Sequence, residues 1–209
     1  MCKILIAVPC MDTLPARFAH SLVMLRKVGE CAVTFEIGSL IYTSRNNIAK
    51  RAIEMGADFV LWLDSDMVFE PDLLERLMAH MDNKEVSMVT GVYYRRVAPF
   101  SPTLFDRLDY HDGATAWTEF KEIPDKLFTV GGCGFGCVLM RVEVLFDVAG
   151  RYQSCFAPLG NTGEDLAFCW RARQCGHQIY CDPTIQCGHE GRTVITKEFY
   201  ESYRLSESN

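Results

Sequence analysis

The sequence predicts an α/β fold, a mostly parallel central sheet flanked by helices. Three observations predict it. Short apolar runs alternate with amphipathic ones through the first half of the chain, the pattern of strands joined by crossover helices. One run, Phe59-Val60-Leu61-Trp62-Leu63, is apolar throughout, as a strand covered on both faces must be. Glycines at 29 and 56 stand where the helical stretches stop.

Taken in order, residues 3–8 read as a buried strand closed by Pro9. Residues 15–28 carry helical spacing (Phe18, Leu22, Leu25, Val28), and residues 32–37 form a second strand. Thr43 or Ser44 is expected to cap a helix with Ile48, Ala52 and Met55 on one face, closed by Gly56. Residues 59–63 run straight into Asp64-Ser65-Asp66, and Pro71 is expected to open the next helix. Residues 86–92 are a fourth strand, whereas 93–127 reads only as an irregular insertion or hairpin region. Phe128-Thr129-Val130 leads through a glycine-rich run, 131–136, to the apolar 137–140, then a short helix over 142–148. A helix from Glu164 to near Gly176 and a last strand over 178–181 follow, with a polar tail beyond Pro183 that contains His189.

At 209 residues the chain suffices for one domain with a real core. A net charge of −6 advertises no broad cationic surface for nucleic acid or anionic lipid. No run approaches the about 18–20 apolar residues of a membrane span, and the opening run is too short for a secretory signal, so a cytoplasmic location is expected. The ten cysteines are then expected to be reduced core residues. Cys169, Cys175, Cys181 and Cys187 recur every six residues, unlike the close pairs of structural zinc sites.

Chemistry concentrates at a few places. Asp64 and Asp66 lie just past the carboxyl end of a buried strand, where open α/β sheets place their ligands. Carboxylate oxygens there suit Mn²⁺ or Mg²⁺, which can neutralise a departing diphosphate; an aspartate turn is the plainer alternative. Glu164 and Asp165 open a helix, where its dipole favours acids whatever their role, and one of them could serve as general base. His189, between two glycines, is either a surface residue or a metal ligand. Thr43-Ser44-Arg45-Asn46-Asn47 places donors at a helix start, suited to an anion or a base edge. The run 131–136 lacks the order of a P-loop or a dinucleotide fingerprint and reads as a backbone wall against a sugar or acceptor.

With these residues in order, nearly the whole chain resembles a GT-A (Rossmann-like) glycosyltransferase of the inverting family-two type. The resemblance rests on Val8-Pro9, Ser44-Arg45-Asn46, the strand into Asp64-Ser65-Asp66, and the segment from Gly163-Glu164-Asp165 through Trp170-Arg171 to Asp182-Pro183. It implies one domain over 1–209, with a nucleotide-binding part about 1–92, an acceptor side about 93–191 and a tail 192–209. Asp64, Asp66 and His189 would hold the metal, and Asp165 would be the catalytic base with Glu164 as alternate. Pro9, Asp12, Arg45, Asn46 and Asp64 would line the nucleotide pocket, and Gly132 and Gly134 would face sugar and acceptor. The implied partner is a nucleotide-diphospho-sugar, UDP-linked for preference; the acceptor stays open among small molecule, glycan, protein and a hydroxylated base in DNA. The rival readings are a nucleotidyltransferase on the same fold and a non-catalytic nucleotide-sugar or zinc-binding module.

Overall fold

A computed structural model describes residues 1–38, 40–191 and 194–207. In chain order, β1 (Lys3–Cys10), α1 (Ala16–Met24), β2 (Glu30–Ile37), α2 (Ile41–Glu54) and β3 (Phe59–Leu63) build the first half. β4 (Met67–Val68), α3 (Leu73–Ala79), β5 (Met88–Val92), the hairpin β6 (Leu104–His111) and β7 (Ala114–Glu119), and β8 (Phe128–Val130) follow. β9 (Gly132–Cys133), β10 (Cys137–Arg141), α4 (Val142–Tyr152), α5 (Glu164–Gln174), β11 (Ile179–Gln186), β12 (Gly188–His189) and α6 (Lys197–Glu207) complete the chain.

The main sheet has seven strands in the order β2-β1-β3-β10-β5-β11-β8. β1 pairs in parallel with β2 and β3, and β11 with β5, while β10 runs antiparallel to both β3 and β5 and β8 antiparallel to β11. Alternation along the strands splits the interior in two. Val60 and Trp62 of β3 face one core with Ile48 and Ala52 of α2, Val144 of α4 and Phe168 of α5. Leu61 and Leu63 face the other, with Phe18 of α1 and Leu74 and Leu77 of α3. Trp62, Phe135, Phe156 and Phe168 form a buried aromatic group at 4.5–5.9 Å between ring centroids, beneath the carboxyl end of β3.

Several boundaries differ from expectation. α1 stops at Met24 because Leu25 turns into the core and Arg26 N–H bonds to the Pro71 carbonyl. α2 begins at Ile41 rather than at a Thr43 or Ser44 cap: the N–H groups of both residues bond to the Leu40 carbonyl. α3 begins at Leu73, two residues after Pro71. The irregular 93–127 contains the β6–β7 hairpin, turned by Asp112 (φ 51°) and Gly113 (φ 84°), the doubly positive pair that Asp-Gly accommodates. β11 runs past Cys181 to Gln186 through an irregularity after Cys181. The polar tail carries α6; residues 192, 193, 208 and 209 of that tail lie outside the described residues.

The cysteines are all free thiols, and the six-spaced set is divided: Cys169 and Cys181 lie in one core, Cys187 in the other. Among the described residues no helix is long and apolar enough to cross a membrane.

Candidate active site

A cavity of about 720 Å³ opens at the carboxyl ends of β1 and β3. Pro9 and Cys10 end β1, Arg45 comes from the first turns of α2, Asp64 and Asp66 follow β3, Glu164 and Asp165 open α5, and His189 ends β12. Five separate stretches of chain therefore meet at one mouth, each delivered by the end of an element.

Arg45 organises the near wall. Its side chain is only 3% exposed; Nη2 donates to Asp64 Oδ1 at 2.7 Å and Nη1 to Glu164 Oε1 at 2.6 Å. The guanidinium lies 5.2 Å from the Phe135 ring centroid. Burial alone would lower its pKa, but the carboxylates of Asp64, Glu164 and Asp165 outweigh that and raise it. The two acids of α5 are shifted the other way from an ordinary surface pair. Burial pushes both Glu164 and Asp165 up, with Arg45 opposing it. Glu164 is committed to Arg45, whereas Asp165 Oδ1 accepts the Leu166 N–H at 2.7 Å.

The far wall holds Asp66 and His189. β12 pairs with β4, so His189 lies across from Met67, next to Asp66. His189 Nδ1 stands 2.8 Å from the Tyr94 carbonyl, which can only accept, so Nδ1 carries the proton. In the neutral ring Nε2 is then a bare acceptor, and it faces Asp66 Oδ1 at 3.5 Å. That Oδ1 is buried and without a hydrogen-bond partner. Two inward lone pairs with the imidazole fixed by a carbonyl behind it make a fitting start for a divalent cation. Among the described residues no three His, Cys, Asp or Glu side chains converge as a ready-made metal cluster, however. Asp66 Oδ2 pairs instead with Arg96 Nη1 at 2.9 Å. Although burial raises the Asp66 pKa, His189 in the form that carries a proton on Nε2 as well, together with Arg96, brings it below its ordinary value.

Not every expected residue faces this cavity. Asn46 looks away from it: its amide donates to the Tyr42 carbonyl and accepts from Phe156 N–H, tying α2 to the segment before α5. Asp12 is exposed, just beyond the lining Met11. Gly132 and Gly134 are buried and form no wall. A Cβ on Gly132 would meet Leu108 and Leu166 at 3.0–3.1 Å, and one on Gly134 would collide with the Tyr93 hydroxyl, so these glycines serve internal packing. Conversely, Ser44, Ile41, Leu40, Met11 and Arg96 line the cavity. Nothing in the sequence around Arg96 points to Asp66; only the fold brings the two together.

The sequence profile described as "Glycosyl transferase family 2" matches residues 38–148, slightly over half of the chain. Two strains of Mycobacterium tuberculosis carry a "Pre-mycofactocin glycosyltransferase" that is 26% identical over 148 residues, 68% of this chain. The chain spans about 30% of the length of those relatives. Among solved structures, A197 from STIV superposes with a TM-score of 0.65 at 20% identity and covers 94% of both chains. GalNAc-T7, solved with UDP, GalNAc and Mn²⁺, superposes at 0.61 with 10% identity, over 90% of this chain and 43% of that one. These structural likenesses establish the GT-A glycosyltransferase fold.

Proposed function

Since the chain belongs to glycosyl transferase family 2, we propose that it moves a sugar from a nucleotide-diphospho-sugar, UDP-linked for preference, to an acceptor hydroxyl with inversion. The observation that carries this reading is the convergence on one cavity of Asp64, Asp66, His189, Glu164 and Asp165. Asp66 and His189, with Asp64, would hold Mn²⁺ or Mg²⁺. When bound, such an ion supplies charge neutralisation on the departing nucleoside diphosphate.

The chain's own residues account for the rest. Asp165 takes the acceptor proton as the acceptor oxygen bonds to the anomeric carbon and the bond to the diphosphate oxygen breaks. Its raised pKa makes it a better proton acceptor than a surface aspartate, and Arg45 favours the ionised form it needs. Glu164 is already engaged by Arg45, which leaves Asp165 the freer carboxylate. The buried Arg45 also fixes Asp64 against α5, so the near wall keeps its geometry as the donor enters.

A donor panel of UDP-, GDP- and CMP-sugars, with and without Mn²⁺, tests the class. Release of nucleoside diphosphate that needs Mn²⁺ and disappears in Asp66→Ala is expected. Release of pyrophosphate from a nucleoside triphosphate and a sugar 1-phosphate, with none of the panel turned over, would place the chain with nucleotidyltransferases, and a product retaining the donor's anomeric configuration would remove Asp165 from its role.

A further inference from the structure

Arg96 lines the cavity without a task in the reaction just described. It sits on the loop after β5, where its neighbour Arg95 turns away to Glu119 at 3.2 Å and lies over the Phe105 ring. Arg96 turns inward, with Nη1 2.9 Å from Asp66 Oδ2 and 3.3 Å from the Glu190 carbonyl. Its stem passes over Gly191, where a Cβ would meet Arg96 Cδ at 3.2 Å. The two cavity arginines differ in kind. Arg45 is buried, stacked near Phe135 and neutralised by two carboxylates, so it has neither room nor charge to offer a ligand. Arg96 is 47% exposed and held by one carboxylate.

The charge balance of the cavity gives that difference a consequence. Asp64, Asp66, Glu164 and Asp165 all line it, so an incoming diphosphate meets a surplus of negative charge. A divalent cation and the Arg96 guanidinium both need Asp66 and cannot both have it on the same terms. A guanidinium released from a carboxylate keeps a planar fork that suits phosphate oxygens equally well. We propose that Arg96 is a diphosphate-binding residue that rests on Asp66 in the donor-free protein and turns to the donor's phosphates when a divalent cation takes Asp66. This rests on the transferase reading above.

The two halves of the proposal predict opposite changes in one variant. In Arg96→Gln, binding of Mn²⁺ alone, read from the free-ion resonance, is expected to tighten by about fivefold. Binding of UDP or GDP at saturating Mn²⁺, read by calorimetry, is expected to weaken by about tenfold, the scale of one charge-assisted contact. Arg96→Lys, which keeps the charge and loses the fork, should fall between, and Arg95→Gln should move neither. Both affinities weakening would make Arg96 a structural support; both tightening would make it a plug with no part in binding; no change in either would also overturn the proposal. Wild-type protein that binds neither nucleotide at saturating Mn²⁺ would sink the transferase reading and this inference together, whereas normal wild-type binding with the wrong variant pattern sinks Arg96 alone.

Discussion

Arg45 shows what a single buried charge does in this fold. It is enclosed by Asp64 and Glu164, with Asp165 close enough to add to the field. Removing it leaves several carboxylates facing one another without compensation. Arg45→Gln is expected to cost about 3 kcal/mol of stability, the scale for breaking a buried pair, measurable by denaturant unfolding. The pH dependence follows with a definite sign. Asp165 must be ionised to act as base, and burial has raised its pKa, so kcat/KM should fall as pH drops through that raised value. Arg45 is the group that opposes the rise, so the acid limb should move to higher pH in Arg45→Gln; an unmoved limb would detach Arg45 from the base. Stability runs in the opposite sense for this group. A carboxyl whose folded pKa lies above its unfolded value binds protons preferentially in the folded state, so its contribution to stability falls as pH rises through the window between the two values. Asp66, whose folded pKa is lowered, contributes stability above its ordinary value that is lost as pH falls through the lowered one.

At the scale of elements, β11 decides whether the far wall exists. Its pairing with β5 breaks register after Cys181, at Asp182-Pro183. Asp182 Oδ1 accepts from both the N–H and the hydroxyl of Thr184, and Oδ2 lies 2.8 Å from His80 Nε2 beyond the end of α3. An aspartate turn thus fixes the irregularity, and a proline there needs no ladder donor. Downstream of it the chain re-enters the sheet at Gln186 opposite Val92 and then crosses to β4, bringing His189 to Asp66. Asp182→Ala removes three hydrogen-bond partners of one half-buried side chain. It is expected to destabilise by about 1–3 kcal/mol and to weaken Mn²⁺ binding, although Asp182 touches no cavity residue. Undiminished Mn²⁺ affinity in that variant would show that β12 holds His189 without the turn.

The whole molecule closes around the same histidine from its other end. His189 and Ile195 exchange backbone hydrogen bonds, and α6 beyond them packs Tyr200 on Tyr94 at 4.6 Å and Phe199 and Tyr203 on Phe100 at about 5 Å. Tyr94 is also the residue whose carbonyl fixes the His189 tautomer. The C-terminal helix therefore braces the loop after β5 from outside the main sheet. Truncation before Lys197 should lower Tm by about 6–12 °C, taking about 1 kcal/mol for each of the three lost ring contacts. It should also loosen Mn²⁺ binding; a truncated chain with full metal affinity would confine α6 to stability.

The sequence by itself determined the alternation of strands and helices, the parallel frame of β1, β2 and β3, and the acids at the ends of β3 and at the start of α5. Those signals are local: apolar runs, turn glycines and the chemistry of adjacent residues suffice to read them. Within 93–127 the sequence resolved no strands, because those flanking Asp112-Gly113 alternate weakly where much of the hairpin is exposed. Only the tertiary structure decided that β10 enters antiparallel between β3 and β5, that Asn46, Gly132 and Gly134 serve packing, and that Arg45 is a buried brace. It also decided that Arg96 and His189, 93 positions apart, meet at Asp66. Each of these depends on which side chains lie opposite one another across elements distant in sequence, and local pattern carries no record of that.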